Sequence, residues 1–248
     1  MTTIRRTLIL AVTVLVPAIA SAQTPTQQQM DEILKELKAI RQLLERQAQA
    51  VPAPPPTDRV RLGSSEGHTL GRSDAPIVMV EFTDLQCPFC SRFARTTFEE
   101  IRKAYIDTQK VRFITRDFPI PQLHPHAQIA ARSSRCAEEQ GKYWEMRTAL
   151  VQNADKLSPA FITETGAGLK LEGKAFQACL DSTRFQSEIQ KDIDVAGSVG
   201  ITGTPSFVIG RANPDGSIEG VRVVGAQTFA AFEARFKELL TPAGPVKD

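Results

Sequence analysis

Cys87 and Cys90 stand three positions apart in "VMVEFTDLQCPFCSRFARTTFEEI", residues 78–101. An apolar run leads into the pair and a helical pattern leads away from it. A Cys-x-x-Cys at such a junction suits two chemistries, thiol–disulfide exchange or half of a zinc site. A sulfur at a helix start faces backbone N–H groups without intrahelical partners and the positive end of the helix dipole. Both favour a thiolate, so Cys87 is the expected nucleophile with a lowered pKa. Cys90, one turn into the helix, is placed to attack a mixed disulfide formed at Cys87. Pro88 fits the first helical position, where its missing N–H costs little. Zinc would need two further ligands, yet Cys136 and Cys179 stand alone and His124 and His126 flank a proline. Exchange is the preferred reading because a Cys-x-x-Cys beside a βαβ pattern is a redox signature. A purely structural disulfide would explain neither the helix-start position nor the proline.

The elements that must hold the pair can be read around it. "APIVMVEFTD" is a short β-branched apolar run bounded by Pro76 and Asp84, fit for a strand buried on both faces. "SRFARTTFEEIRKAY" repeats Phe93, Thr97 or Phe98, Ile101 and Tyr105 at helical spacing, and "KVRFITRDFPI" reads as a second strand. Two strands joined by a helix form a parallel βαβ unit. From about 126 to 199 the pattern is helical, punctuated near Ser158-Pro159 and from Gly166 to Gly173. Tyr143, Trp144 and Met146 are expected in the core of that block, and "HPHAQ" as the turn into it, with His124 bonded to backbone. "TPSFVIG", a turn at "NPDG" and "SIEGVRVVG" predict a hairpin, and a terminal helix runs from about Gln227 to Leu240. The class is α/β, in the order βαβ, helical block, ββα.

Residues 1–22 carry Arg5 and Arg6, an apolar core from Leu8 to Val16, and small residues at Ala20 and Ala22. This predicts a signal peptide cleaved after Ala22 and an exported chain, soluble and most consistent with a periplasm. The apolar core is well short of the roughly 20 residues that span a bilayer. The whole chain has a net charge of +2, and removal of residues 1–22 takes away both positive charges it owes to Arg5 and Arg6. A mature chain near neutrality gives no footprint for nucleic acid. In an oxidising compartment the four cysteines are read first as disulfide or redox chemistry.

Residues 23–50 are expected to form a helical stalk, followed by a Pro-rich linker at 51–58 and the main domain at 59–241. Met30, Ile33, Leu37, Ile40 and Leu44 recur three and four residues apart, with Asp31 available as a cap. The seam suits either a helix folded onto the domain or a self-association helix through residues 30–47. The Pro-rich spacer, which would hold the helix away from the domain, favours a homo-oligomer.

Three stretches, "APIVMVEFTDLQCPFC", "RDFPIPQLHPHAQIAARSSRCAEEQGKYWEM" and "GITGTPSFVIG", together resemble the DsbA-like thiol–disulfide oxidoreductases. The resemblance covers about Val60 to Leu240. It implies a thioredoxin fold with a helical insertion at about 126–199, no metal and no organic cofactor. It also implies a cis Thr204-Pro205 bond beside the cysteines, where Thr204 and Pro205, with Pro88 and Phe89, meet an extended substrate by strand-like pairing. Glu81, six residues before Cys87, occupies the place of a buried acid in thioredoxin-like proteins and is a candidate acceptor for the Cys90 proton. Cys136 and Cys179 are expected as a structural disulfide closing the helical block, as in some relatives. Implied partners are exported proteins with cysteines and a membrane redox partner that resets the pair. The departure from the pattern is Phe89, where the best-known oxidases carry His; without a donor there, a less strongly oxidising pair is expected.

Overall fold

The computed structural model describes residues 27–50, 59–63 and 66–241, so the expected signal segment and Pro-rich linker lie outside the described residues. The chain divides into two units, Met1–Pro54 and Pro55–Asp248. The described part of the first is one helix, α1 (Gln27–Ala50). It starts four residues before Asp31, which therefore lies within the helix and is not its cap. Met30, Ile33, Leu34, Leu37 and Ile40 are exposed along it.

The second unit is built on a six-stranded sheet in the order β1-β6-β5-β3-β4-β2. Its strands are β1 (Arg59–Leu62), β2 (His68–Leu70), β3 (Ile77–Thr83), β4 (Val111–Asp117), β5 (Ser206–Ala212) and β6 (Ile218–Val224). β3 and β4 run parallel and the other pairs antiparallel. Every residue of β3 is buried, as expected for a central strand covered on both faces. The β5–β6 hairpin turns through Gly216, whose φ of 81° is one that glycine adopts without steric cost.

β3 reaches β4 through α2 (Pro88–Arg95) and α3 (Thr97–Ile101), followed by a π turn at Arg102–Ile106. The sequence pattern predicts one continuous helix here; the structure breaks it at Thr96, with φ −120° and ψ −87°. The hydroxyls of the Thr96-Thr97 pair bond to backbone, Thr96 to the Arg92 carbonyl at 2.8 Å and Thr97 to the Gln227 carbonyl at 3.1 Å. A threonine hydroxyl bonded to the carbonyl four residues back, as at Thr96, is a feature that bends helices. The insertion consists of α4 (Ala127–Glu138), α5 (Tyr143–Gln152), α6 (Pro159–Gly168), α7 (Gly173–Asp181) and α8 (Gln186–Ser198), and α9 (Phe229–Leu240) closes the chain.

Strand alternation sorts the core. Ile77, Met79, Phe113 and Phe207 pack on Phe93, Phe98, Phe232 and Phe236 of α2, α3 and α9. The opposite face, with Val78, Val80, Phe82 and Val208, packs on Ala196 of α8 and on Val199. A third cluster fills the insertion with Met146, Leu150, Ile162 and Phe176, and it takes in Cys87 and Cys90. Buried ion pairs join insertion and sheet: Arg135 of α4 reaches Asp117 at 2.7 Å and Asp192 of α8 at 2.6 Å, and Arg116 of β4 reaches Asp192 at 2.9 Å. Cys136 and Cys179 are joined by a disulfide with Cα atoms 5.8 Å apart, tying α4 to α7.

Candidate active site

β3 delivers the chain to a short loop that ends at Cys87, the residue capping α2, with Pro88 in the first turn. The Asp84 carboxylate shapes that loop, accepting from the backbone N–H groups of Gln86 and Ile120, each at 2.8 Å. His124 Nδ1 lies 2.8 Å from the same carboxylate, so its partner is Asp84 and not the backbone expected from the sequence. The Gln86 side chain accepts from His126 N at 2.7 Å. The segment between β4 and α4 is thereby fastened against the start of the cysteine motif. It carries Leu123, which is exposed, as is Phe89 between the cysteines.

Both cysteines are free thiols and both are buried, Cys87 at 3% exposure and Cys90 at 0%. Their surroundings push them apart in acidity. The Cys90 thiol and the backbone N–H groups of Cys90 and Phe89 together lower the Cys87 pKa to about 5 against the opposing effect of burial. Cys90 is pushed well above the ordinary thiol range, first by burial and then by the neighbouring Cys87 and Glu81 charges. One sulfur is a thiolate at neutral pH and the other keeps its proton, the division of labour between attacking and resolving thiols.

The Thr204-Pro205 bond is cis. The Thr204 carbonyl lies 3.5 Å from Cys87 Sγ, across 117 residues of sequence. Val224, exposed, stands opposite Ser206 in the β5–β6 ladder, one residue from Pro205. Thr204 and Pro205 thus lie at Cys87, next to Pro88 and Phe89, whereas Cys136 and Cys179 lie in the insertion's disulfide. Among the described residues no group of three or more His, Cys, Asp or Glu side chains is arranged to hold a metal ion.

Glu81 is fully buried on β3. Its Oε2 accepts from the Arg147 guanidinium of α5 and from Thr115 Oγ1 at 3.3 Å. Its pKa is raised by burial, with Arg147 and the Thr115 hydroxyl opposing the rise. Thr83 lies two residues along β3, on the same face, with its hydroxyl buried and without a hydrogen-bond partner. The sequence reading singled out Glu81 but not Arg147, Thr83 or Asp84. Alternation along "VEFTD" places Glu81 and Thr83 on one face, whereas no local pattern points to Arg147, 66 residues away.

The thioredoxin family model matches residues 64–223, more than half of the chain, and the chain belongs to that family. Within it, the fold is that of the DsbA-like thiol–disulfide oxidoreductases. The α-DsbA1 protein of Wolbachia pipientis, 29% identical, superimposes with a TM-score of 0.62 over 77% of this chain and 94% of its own. Oxidised BdbD from Bacillus subtilis shares the fold at 22% identity, with a TM-score of 0.60 over 69% of this chain and 91% of its own. A Na(+)/H(+) antiporter, NhaA 3 of Salinispora tropica, is 31% identical over 198 residues, which make up 74% of this chain and 30% of the antiporter. The chain therefore spans under a third of the length of that curated relative. Among the described residues no helix is long and apolar enough to cross a membrane.

Proposed function

We propose that this protein forms disulfide bonds in exported proteins by dithiol–disulfide exchange through Cys87 and Cys90. The observation that carries the reading is a Cys87 sulfur with a pKa lowered to about 5, 3.5 Å from the Thr204 carbonyl. In the oxidised protein a substrate thiolate attacks Cys87 Sγ. The Cys87–Cys90 bond breaks, a mixed disulfide forms at Cys87, and Cys90 leaves with the electron pair and takes up a proton. A second substrate thiolate attacks the substrate sulfur of that mixed disulfide, and Cys87 departs as its stabilised thiolate. Two electrons pass from substrate to protein; one proton ends on Cys90 and the other is released. A good leaving thiolate at Cys87 favours donation of the disulfide. An extended substrate pairs with the Thr204 backbone, and the exposed side chains of Phe89, Leu123 and Val224 offer it apolar contact. A membrane redox partner then withdraws the two electrons and restores the Cys87–Cys90 bond. The pattern of residues 1–22 supports action outside the cytoplasm.

The apolar stripe of α1 favours a second reading, a disulfide isomerase or reductase that works as an oligomer. Met30, Leu37 and Leu44 fall at heptad position a and Ile33 and Ile40 at d, a combination that favours more than two strands. In a parallel bundle Glu36 at g meets Arg41 at e of the next chain, an opposite-charge pair. The deciding measurement is reactivation of a scrambled multi-disulfide protein by the mature chain and by a form lacking residues 23–57. Reactivation that vanishes with the stalk identifies the oligomeric isomerase. Rapid oxidation of a reduced substrate by both forms, without reactivation by either, upholds the oxidase. No redox step at all, with aggregation still suppressed after Cys87→Ser and Cys90→Ser, leaves a chaperone or adaptor.

A further inference from the structure

Beside the cysteine pair, α2 and the turn from β6 into α9 enclose a cavity of about 340 Å³ whose polar lining is Arg92, Thr96 and Thr97 on one side and Gln227 and Thr228 on the other. Four of these side chains have their hydrogen bonds inside the protein. Thr96 donates to the Arg92 carbonyl, Thr97 to the Gln227 carbonyl and the Gln227 amide to the Val224 carbonyl, while Thr228 accepts from Ala231 N. The fifth is Arg92, whose guanidinium has no ion pair or hydrogen bond among the described residues and lies 5.4 Å from the centre of the Phe89 ring. Phe89 precedes Arg92 by three positions on the same helix face, and its ring is 55% exposed next to Cys87. The cavity wall is tied to the cis bond as well, since Gly225 N donates to the Pro205 carbonyl at 2.8 Å. Charge around the nucleophile is one-sided. α2 carries Arg92 and Arg95 and no acid, and residues 120–126, 203–205 and 224–228 hold no acid either. Asp84 is buried and taken up by Gln86, Ile120 and His124. The next acids along the chain, Glu99 and Glu100, lie on α3, past the break at Thr96.

We infer that Arg92 selects among substrates: its unpaired guanidinium, held beside the Phe89 ring at the mouth of this cavity, takes an acidic side chain close to the reacting cysteine. The inference rests on the exchange chemistry proposed above and names a substrate class for it, exported segments with Asp or Glu about two residues from the cysteine. Five residues of helix separate Cys87 from Arg92, about 7.5 Å along the axis. Two residues of an extended substrate advance about 6.6 Å and return to the same face. A carboxylate at that spacing is within reach of a long arginine while the substrate sulfur is bonded to Cys87. The planar guanidinium matches a carboxylate with two parallel N–H donors and can rest against an aromatic ring as it does so. A lysine at the same place in the substrate meets a like charge, with no acid beside it to compensate. Such complementarity acts on the choice of partner more than on the chemical step.

The experiment mixes the oxidised protein with reduced peptides that carry two cysteines and differ only in whether Asp or Lys stands two residues outside each of them. Each peptide dithiol becomes a disulfide as the Cys87–Cys90 bond is reduced, and the reaction is quenched in acid and resolved by mass. The quantity read is the ratio of the two second-order rate constants, Asp over Lys, in the parent and in each Arg92 variant. Comparing ratios cancels the different thiol acidities of the peptides, and it cancels any effect of the substitution that both peptides feel alike, such as a change at Cys87 or in folding. Arg92→Glu is expected to lower the ratio about fivefold or more at low ionic strength, and Arg92→Gln about twofold. Both differences should shrink as salt is added. Equal ratios in the parent and both variants overturn the inference, as does a difference that salt leaves unchanged. Failure of the oxidised parent to oxidise either peptide is a separate result: it removes the exchange reading, and this inference with it.

Discussion

Acidification should strip this pair of its oxidising bias along a curve fixed by a single thiol. Of the two sulfurs, Cys87 has its pKa lowered to about 5 and Cys90 stays protonated well beyond the ordinary thiol range. Between those limits reduction of the disulfide binds one proton; below pH 5 it binds two. The lowered pKa stabilises the reduced form above pH 5, and that stabilisation is lost as pH falls through 5 and Cys87 takes up its proton. Glutathione, with an ordinary thiol near pKa 8.5, stays protonated over most of this range. The equilibrium constant for reducing the pair with glutathione should therefore fall about tenfold per pH unit between pH 8 and 5, then level off. The total change from pH 8 to pH 4 is several hundredfold, about 4 kcal/mol. Expressed as a potential, the slope of the pair changes from about 30 mV per pH unit above the break to about 59 mV below it. The assay is equilibration in glutathione buffers from pH 4 to 8, quenched with acid and read by alkylation and mass. A constant that stays flat from pH 8 to 5, or a break near 8 to 9, would refute the thiolate assignment at Cys87.

Two further perturbations follow from the same geometry. Replacing Cys136 and Cys179 together by alanine opens a loop of sequence separation 43 and should cost up to about 4 kcal/mol of stability in urea unfolding, with the Cys87 alkylation midpoint unmoved. Phe89→His places a donor where an exposed phenyl ring now lies 5.4 Å from the Arg92 guanidinium. The glutathione equilibrium should shift towards the reduced form and the alkylation midpoint of Cys87 should fall; a shift in the opposite direction would show that the ring already favours the thiolate.

How much of this was readable in advance depended on the range of each interaction. β3 and the cysteine pair were legible because "IVMVEFT" is buried throughout and Cys87-Pro88 marks the helix start within four residues. The two edge strands were not, since Arg59–Leu62 and His68–Leu70 are too short to show a period and owe their form to pairing with β6 and β4. The break at Thr96 was hidden because Phe93, Phe98, Ile101 and Tyr105 keep helical spacing straight through it. Asp84 read as a strand terminator, and nothing in the sequence shows that it gathers Gln86, Ile120 and His124. The cis Thr204-Pro205 bond was expected through family resemblance and not from spacing, since its meeting with Cys87 depends on the whole sheet lying between them.

Arg147 shows why such partners escape a local reading and what the insertion does for the site. A lone thioredoxin sheet would leave Glu81 buried beside Thr115 and Phe207 with no compensating charge, and a buried carboxylate without a cation takes up a proton. The insertion changes that balance twice. Its core, from Met146 to Phe176, packs around Cys90, whose burial raises its pKa, while α5 carries a guanidinium to the Glu81 carboxylate. Burial alone would raise both Cys90 and Glu81, and the guanidinium opposes it at Glu81 only. With a cation on one oxygen of Glu81 and none on Cys90, the two groups are driven apart in proton affinity.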